Sequence, residues 1–318
     1  MDTLRRLVPR RSGASRRVIA ALAAAVALTL PAVWGAPAAL ARSAFVAERP
    51  GAAVPATQVA PVSELRHIKE AHAYLAGLAR PITPPLVYLI GDSTTRESVV
   101  SEAKWAAKVL QLGGPEVQPY VLASQNQTFP LDRVITDGLP EEPALVLISV
   151  GLSRFTNPPA QDPALGEPLP PLAAMSPWRQ HLYSASDRLT AAQKRAKVRL
   201  WLQRRYPLFK NNRAANVARL RALVQECQRR GWRVALLEMP VNRAVVGHAF
   251  DTPIARYRAD CLAIASDAGI RFLRFTGVVS RSSANFYDLI HLVGNGPTGG
   301  RTKWQARLSA EVVKLMAE

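Results

Sequence analysis

The chain has 318 residues, 48% of them apolar and 20% charged; this balance excludes a disordered chain and suits a globular domain with a sizeable core. Its two cysteines are too few for a disulfide-stapled small fold. No His/Cys cluster has zinc-ligand spacing, and neither a metal nor another cofactor is expected. The net charge of +18 is far from zero, so its distribution along the chain carries information.

In chain order, Arg5, Arg6, Arg10, Arg11, Arg16 and Arg17 precede an apolar run from Val18 to Leu30, and Ala39-Leu40-Ala41 follows as a small-residue cleavage pattern. Residues 1–41 read as a signal peptide or a membrane anchor, and Ser15-Arg16-Arg17 is a partial twin-arginine pattern. Either reading puts the domain outside the cytoplasm, secreted or tethered through its N-terminus. Residues 42–85 read as a linker followed by a helix. The stretch 42–62 is rich in Ala, Pro and Val without a period, and Ser63–Ala79 has a helical pattern ended by Pro81, Pro84 and Pro85.

From residue 86 short apolar runs alternate with helical patterns. Leu86–Ile90 is a strand, with a helix expected from about Thr95 to Leu112. Tyr120–Leu122 and Ala144–Val150 are the next strands. A helix over about Arg213–Arg230 leads into Val234–Glu238, and one over about Pro253–Ala268 leads into Arg271–Phe275. A last helix spans about Lys303–Met316. Continuous apolar strands alternating with helices imply a parallel sheet covered on both faces. The fold class is therefore α/β, a three-layer α/β/α sandwich with a five-stranded parallel sheet in the flavodoxin-like arrangement. The period breaks at about 152–205, read as a basic insertion within a domain covering 86–318. It sits at the carboxyl edge of the third strand, the edge where open parallel sheets bind ligands.

Residues 179–233 carry 15 lysines and arginines against 2 acids, a net +13, and so form a patch. Lys194, Arg195, Lys197, Arg199, Arg204 and Arg205 are interleaved with Trp201 and Tyr206. Such a segment suits an anionic membrane surface, an acidic envelope polymer or a solvated face. Nucleic acid is not expected as a partner of an exported protein. Cys227 and Cys261 fall on predicted helices. A disulfide and two separate buried thiols both stay open.

Gly91-Asp92-Ser93 follows the first strand and opens a helix. That turn presents a hydroxyl at the sheet edge beside unpaired backbone N–H groups, which can stabilise an oxyanion. Asp288 and His291 lie three apart in a loop between the last strand and the last helix. A serine is a poor nucleophile at neutral pH and needs a base. His291 is the candidate base, with Asp288 accepting from its Nδ1–H.

This order of Gly-Asp-Ser early and Asp-x-x-His late resembles the SGNH/GDSL hydrolase superfamily over residues 86–318. The resemblance implies Ser93 as nucleophile, His291 as base and Asp288 as its orienter. It puts Asn126 where the family has an oxyanion glycine. Gly151-Leu152-Ser153-Arg154 stands for the family's Gly-x-Asn-Asp, with Ser153 in place of the oxyanion asparagine and Asn157 as a nearby substitute. Gly-Asp-Ser-x-x-Arg, with Arg96, is similar to the superfamily's polysaccharide-ester branch and implies a substrate-binding arginine. Met239-Pro240-Val241-Asn242 is similar to a stretch in extracytoplasmic proteins that help esterify teichoic acids. The expected activity is hydrolysis of an O-acyl ester, acetyl by expectation, on a glycan or envelope substrate. The alternatives are transfer of the acyl group onto a cell-surface polysaccharide and a non-catalytic envelope-binding protein.

Overall fold

The computed structural model describes residues 65–158, 165–176, 178, 181–275 and 277–318. The expected signal or anchor and the linker up to Val62, with the Ser63 cap, lie outside the described residues. No helix among the described residues is long and apolar enough to cross a membrane.

Five strands form one parallel sheet: β1 Leu86–Gly91, β2 Gln118–Ala123, β3 Ala144–Val150, β4 Arg233–Glu238 and β5 Arg271–Leu273. Their spatial order is β2-β1-β3-β4-β5, the flavodoxin-like order expected from the alternating pattern. β1 and β3 are buried along their whole length, which is why they are continuously apolar rather than alternating. Val87, Leu89, Leu145 and Leu147 face one layer, built by α3 Glu102–Gln111 and α9 Gly300–Ala317 through Trp105, Val109, Trp304 and Leu308. Tyr88, Ile90, Val146 and Ile148 face the other. That layer contains α1 Arg66–Ala76, α4 Phe129–Asp137, α6 Tyr206–Arg229 and α8 Asp251–Ala268. The α/β/α layers expected from the alternation of apolar strands and helices are the layers observed.

The direction in which successive strands are added to the sheet reverses between β1 and β3, the two strands on either side of the switch point. Their carboxyl ends open the crevice where ligands bind in such sheets. Gly91, at the end of β1, is sterically required there. A Cβ on it would meet Ser149 Oγ at 1.8 Å and Thr95 Oγ1 at 2.3 Å. Thr95 Oγ1 in turn donates to Ser149 Oγ at 2.5 Å, tying the turn after β1 to β3.

Several elements differ from the periodicity. The helix expected over Thr95–Leu112 is two pieces, α2 Ser93–Arg96 and α3. Ser101 has an extended backbone and caps α3 by accepting from Lys104 N–H at 3.2 Å. The break lets Glu97 point inward, where it is fully buried. The rod expected from Arg213 begins much earlier: α5 Ala191–Leu200, a π-helical turn Trp201–Arg205 and α6 run on without interruption. The last part of the expected insertion is thus an extension of a layer helix. Two short elements, α7 Arg243–Val246 and a 3₁₀ turn Ser283–Asn285, complete the carboxyl edge. Cys227 and Cys261 are both free and buried, and burial pushes the Cys227 thiol up to about 12.

Candidate functional site

The site is built on the turn after β1. Asp92 caps α2: its Oδ1 accepts from Thr94 N–H at 3.0 Å and from Thr94 Oγ1 at 2.5 Å. That turn lifts Ser93 to the crevice, where it is partly exposed while its neighbours are buried. As the first residue of a helix, Ser93 contributes an N–H with no intrahelical acceptor.

The opposing loop, 285–293, is closed on itself. Tyr287 N–H donates to His291 O at 2.8 Å, and Val293 N–H donates to Asn285 O at 2.9 Å. Asp288 Oδ1 accepts from Ile290 N–H, His291 N–H and His291 Nδ1–H, each at 3.0 Å. A carboxylate only accepts, so Nδ1 carries the proton and Nε2 is left with its lone pair. Nε2 lies 2.9 Å from Ser93 Oγ. The structure therefore brings Ser93, His291 and Asp288, expected from sequence as one group, into a single hydrogen-bonded chain. His291 is 3% exposed and Asp288 2%. Burial works against charging His291, but the adjacent Asp288 carboxylate outweighs it and its pKa is raised. Burial likewise opposes charging of Asp288; the imidazole, Lys197 and the Ile290 N–H overcome it and hold the carboxyl well below the usual range.

Asn126 lies in the loop after β2 with φ +55°, the left-handed conformation asparagine tolerates better than most residues. Neither its N–H nor that of Ser93 donates to an acceptor among the described residues. Asn157, expected from the resemblance as a substitute for an oxyanion asparagine, is not a free donor; its Nδ2 donates to Asn126 O at 3.3 Å and steadies that loop. Ser153 is also committed elsewhere, donating from Oγ to Asp92 Oδ2 at 2.5 Å. Gly151 is buried, and an added Cβ there would meet only Met239 Cβ at an ordinary 3.6 Å. Arg154 is buried against Asp132 and over the Phe129 ring, 4.3 Å from its centroid. Arg96 is 2% exposed, with Nε 3.4 Å from Glu97 Oε1. It is therefore neither a solvated helix arginine nor an open group at the mouth.

Other contributors depend on contacts that sequence spacing does not reveal. Residues 181–190 cross the site. Tyr183 stacks on Tyr287 with centroids 3.9 Å apart, and its ring lies 5.1 Å from that of His291. Leu189 N–H donates to Tyr287 O at 3.0 Å. Glu97 anchors this segment from below, accepting from Leu182 N–H at 2.8 Å and pairing with Arg301. Asn242, fully buried, donates from Nδ2 to Asp288 O at 3.0 Å. The Pro240-Val241-Asn242 stretch thus supports the loop of His291. No group of His, Cys, Asp and Glu among the described residues has the arrangement to hold a metal ion.

Chemically the arrangement offers a hydroxyl, a base poised to take its proton, a carboxylate fixing that base, and two backbone N–H donors on adjoining turns. No protein-family model matches the chain, and no curated protein does. Among solved structures it is similar to a lipase/acylhydrolase from Enterococcus faecalis, at 12% identity and a TM-score of 0.42, covering 73% of this chain and 96% of that one. It is also similar to an acetylxylan esterase from Geobacillus stearothermophilus, at 13% identity and a TM-score of 0.46, covering 74% and 94%. The similarity to both is one of fold alone.

Proposed function

We propose that the chain is a serine ester hydrolase that removes an O-acyl group, acetyl by expectation, from a glycan or related envelope substrate outside the cytoplasm. The observation that carries this reading is the unbroken chain from Ser93 Oγ through His291 to Asp288, at 2.9 and 3.0 Å. In the reaction, His291 Nε2 takes the hydroxyl proton as Ser93 Oγ bonds to the acyl carbon. The carbonyl oxygen becomes an oxyanion, held by the N–H groups of Ser93 and Asn126. The ester C–O bond breaks, and His291 returns its proton to the departing alcohol oxygen. Water then enters, gives a proton to His291 and attacks the acyl-enzyme; collapse frees the acid and restores the serine. Asp288 keeps Nδ1 protonated and stabilises the imidazolium throughout.

The envelope setting rests on the sequence of residues 1–41 and on the basic segment. Arg195, Arg199, Arg204, Lys210 and Arg219 stay exposed, as a face for an anionic polymer or membrane surface requires.

A fluorophosphonate probe tests the nucleophile. The wild type should label and Ser93→Ala should not; equal labelling of both sinks the reading. Aryl acetate turnover with and without an oligosaccharide acceptor then tests hydrolysis. Free acetate is expected as the main product. Acetyl appearing mainly on the sugar would mean a transferase instead.

A further inference from the structure

The loop that carries Asp288 and His291 is gripped from outside by α5. Lys194 and Lys197 lie three residues apart and so share one face of that helix. Lys194 is 2% exposed, and its ammonium donates to Ser283 O at 2.9 Å, Ser283 Oγ at 3.0 Å and Phe286 O at 2.8 Å. Three acceptors match the three N–H bonds of an ammonium. This anchors α5 on the 283–286 turn and fixes where the next inward lysine falls. Lys197 Nζ lies 3.8 Å from Asp288 Oδ2. The two oxygens of Asp288 are therefore divided. Oδ1 takes the three donors of the loop itself, while Oδ2 faces the lysine of a distant helix.

We propose that Lys197 is a positioning residue of the hydrolytic centre: its ammonium holds the second oxygen of Asp288 and through it tunes the basicity of His291. This role rests on the hydrolase reading. The charges around the pair explain why a cation is useful there. Asp92 and Glu97, from the β1–α2 side, act on His291 in the same sense as Asp288, favouring the protonated imidazole. Lys194 and Lys197 act on Asp288 from α5. Tyr183 and Tyr287 stack alongside, with Arg96 and Glu97 acting on Tyr183. Three carboxylates around one imidazole all favour its charged form over the neutral form that acts as base. A lysine at Oδ2 offsets part of that field without displacing the Nδ1 hydrogen bond. Its side chain is 28% exposed, so water screens part of the effect.

The test follows the His291 imidazole by NMR as a function of pH in the whole protein. The chain has five histidines, and H291Q identifies the resonance. In K197M the His291 titration should move up by roughly half a pH unit or more, and the acid limb of kcat/KM on an aryl acetate should move with it. K197R, which keeps the charge, should titrate as the wild type. K197Q reads the same quantity if K197M does not fold, with circular dichroism as the check. An unmoved His291 in a folded, charge-free variant overturns the role of Lys197 while leaving a probe-labelled Ser93 intact. Absence of probe labelling at Ser93 overturns the hydrolase reading itself.

Discussion

Ser153 donates its hydroxyl to Asp92 Oδ2 at 2.5 Å, so the carboxylate beside the nucleophile is held from the β3 side as well as by its own helix cap. The residue that the sequence resemblance puts in place of an oxyanion asparagine is thus tied to the turn that carries Ser93. Ser153→Ala would leave a buried carboxylate oxygen without its donor, at a cost of about 1–3 kcal/mol. The expected result is a melting temperature lower by a few degrees with kcat reduced less than tenfold. A kcat loss on the order of 10²–10³, as follows removal of an oxyanion donor, would instead assign that role to Ser153.

Asn126 sits in a left-handed turn at φ +55°, and the proposed reaction uses its N–H at the oxyanion. Glycine adopts that conformation freely, whereas a β-branched residue is strained there, by about 1–3 kcal/mol. Asn126→Gly should keep aryl acetate turnover within a few-fold of wild type. Asn126→Val should lower kcat by roughly tenfold or more, with circular dichroism confirming that the fold persists. Equal kinetics for the two variants would remove the Asn126 N–H from the site.

Glu97 is fully buried against Arg301 and His181. Burial alone would raise its pKa, but His181 and Arg301 prevail and lower it to about 2 from an ordinary 4.5. A carboxyl lowered in the folded state adds stability that is complete above the ordinary value and fades as pH falls toward 2. Glu97→Gln should therefore be less stable than wild type by about 3–5 kcal/mol at neutral pH. Urea midpoints measured from pH 7 down to 2.5 should show the gap narrowing below about pH 4.5. A gap constant over that range would mean the ion pair is not what the variant loses.

The strands and the Ser93–His291–Asp288 group were legible because each rests on a local signal joined by one topological rule. Leu86–Gly91 and Ala144–Val150 are uninterrupted apolar runs, and a parallel sheet brings the loops after its strands to one edge whatever their separation in sequence. The break between α2 and α3 was not legible, since the partners that meet the inward-turned Glu97 carboxylate are distant in sequence, Arg301 being 204 residues away. α4 carries local signals of its own, namely a Thr128 cap, Pro130 in the first turn and Asp132 nearby. Lys194 and Lys197 sit in a stretch that reads as a charge run, Asn242 in one whose only signal is its likeness to teichoic-acid esterification proteins, and only tertiary contact gives them partners. Arg96, expected from the resemblance as a substrate-binding arginine, is sealed beside Glu97.

The π-helical turn at Trp201–Arg205 has a consequence for how one rod serves two neighbours. An α-helix advances about 100° per residue, and a π turn absorbs one extra residue, turning all that follows back by roughly that angle. Upstream, the inward stripe is Lys194, Lys197 and Trp201; downstream it is Phe209, Asn216, Leu220, Leu223 and Cys227. Counted as unbroken α-helix, these stripes would be out of phase. The extra residue aligns them, so the face that meets the sheet continues into the face that meets the Asp288 loop. Deleting one residue within 201–205 should let the turn become ordinary α-helix with both stripes still in phase, whereas inserting a further residue there should swing Lys194 and Lys197 off that loop by about 100° while leaving the layer beneath the sheet in register.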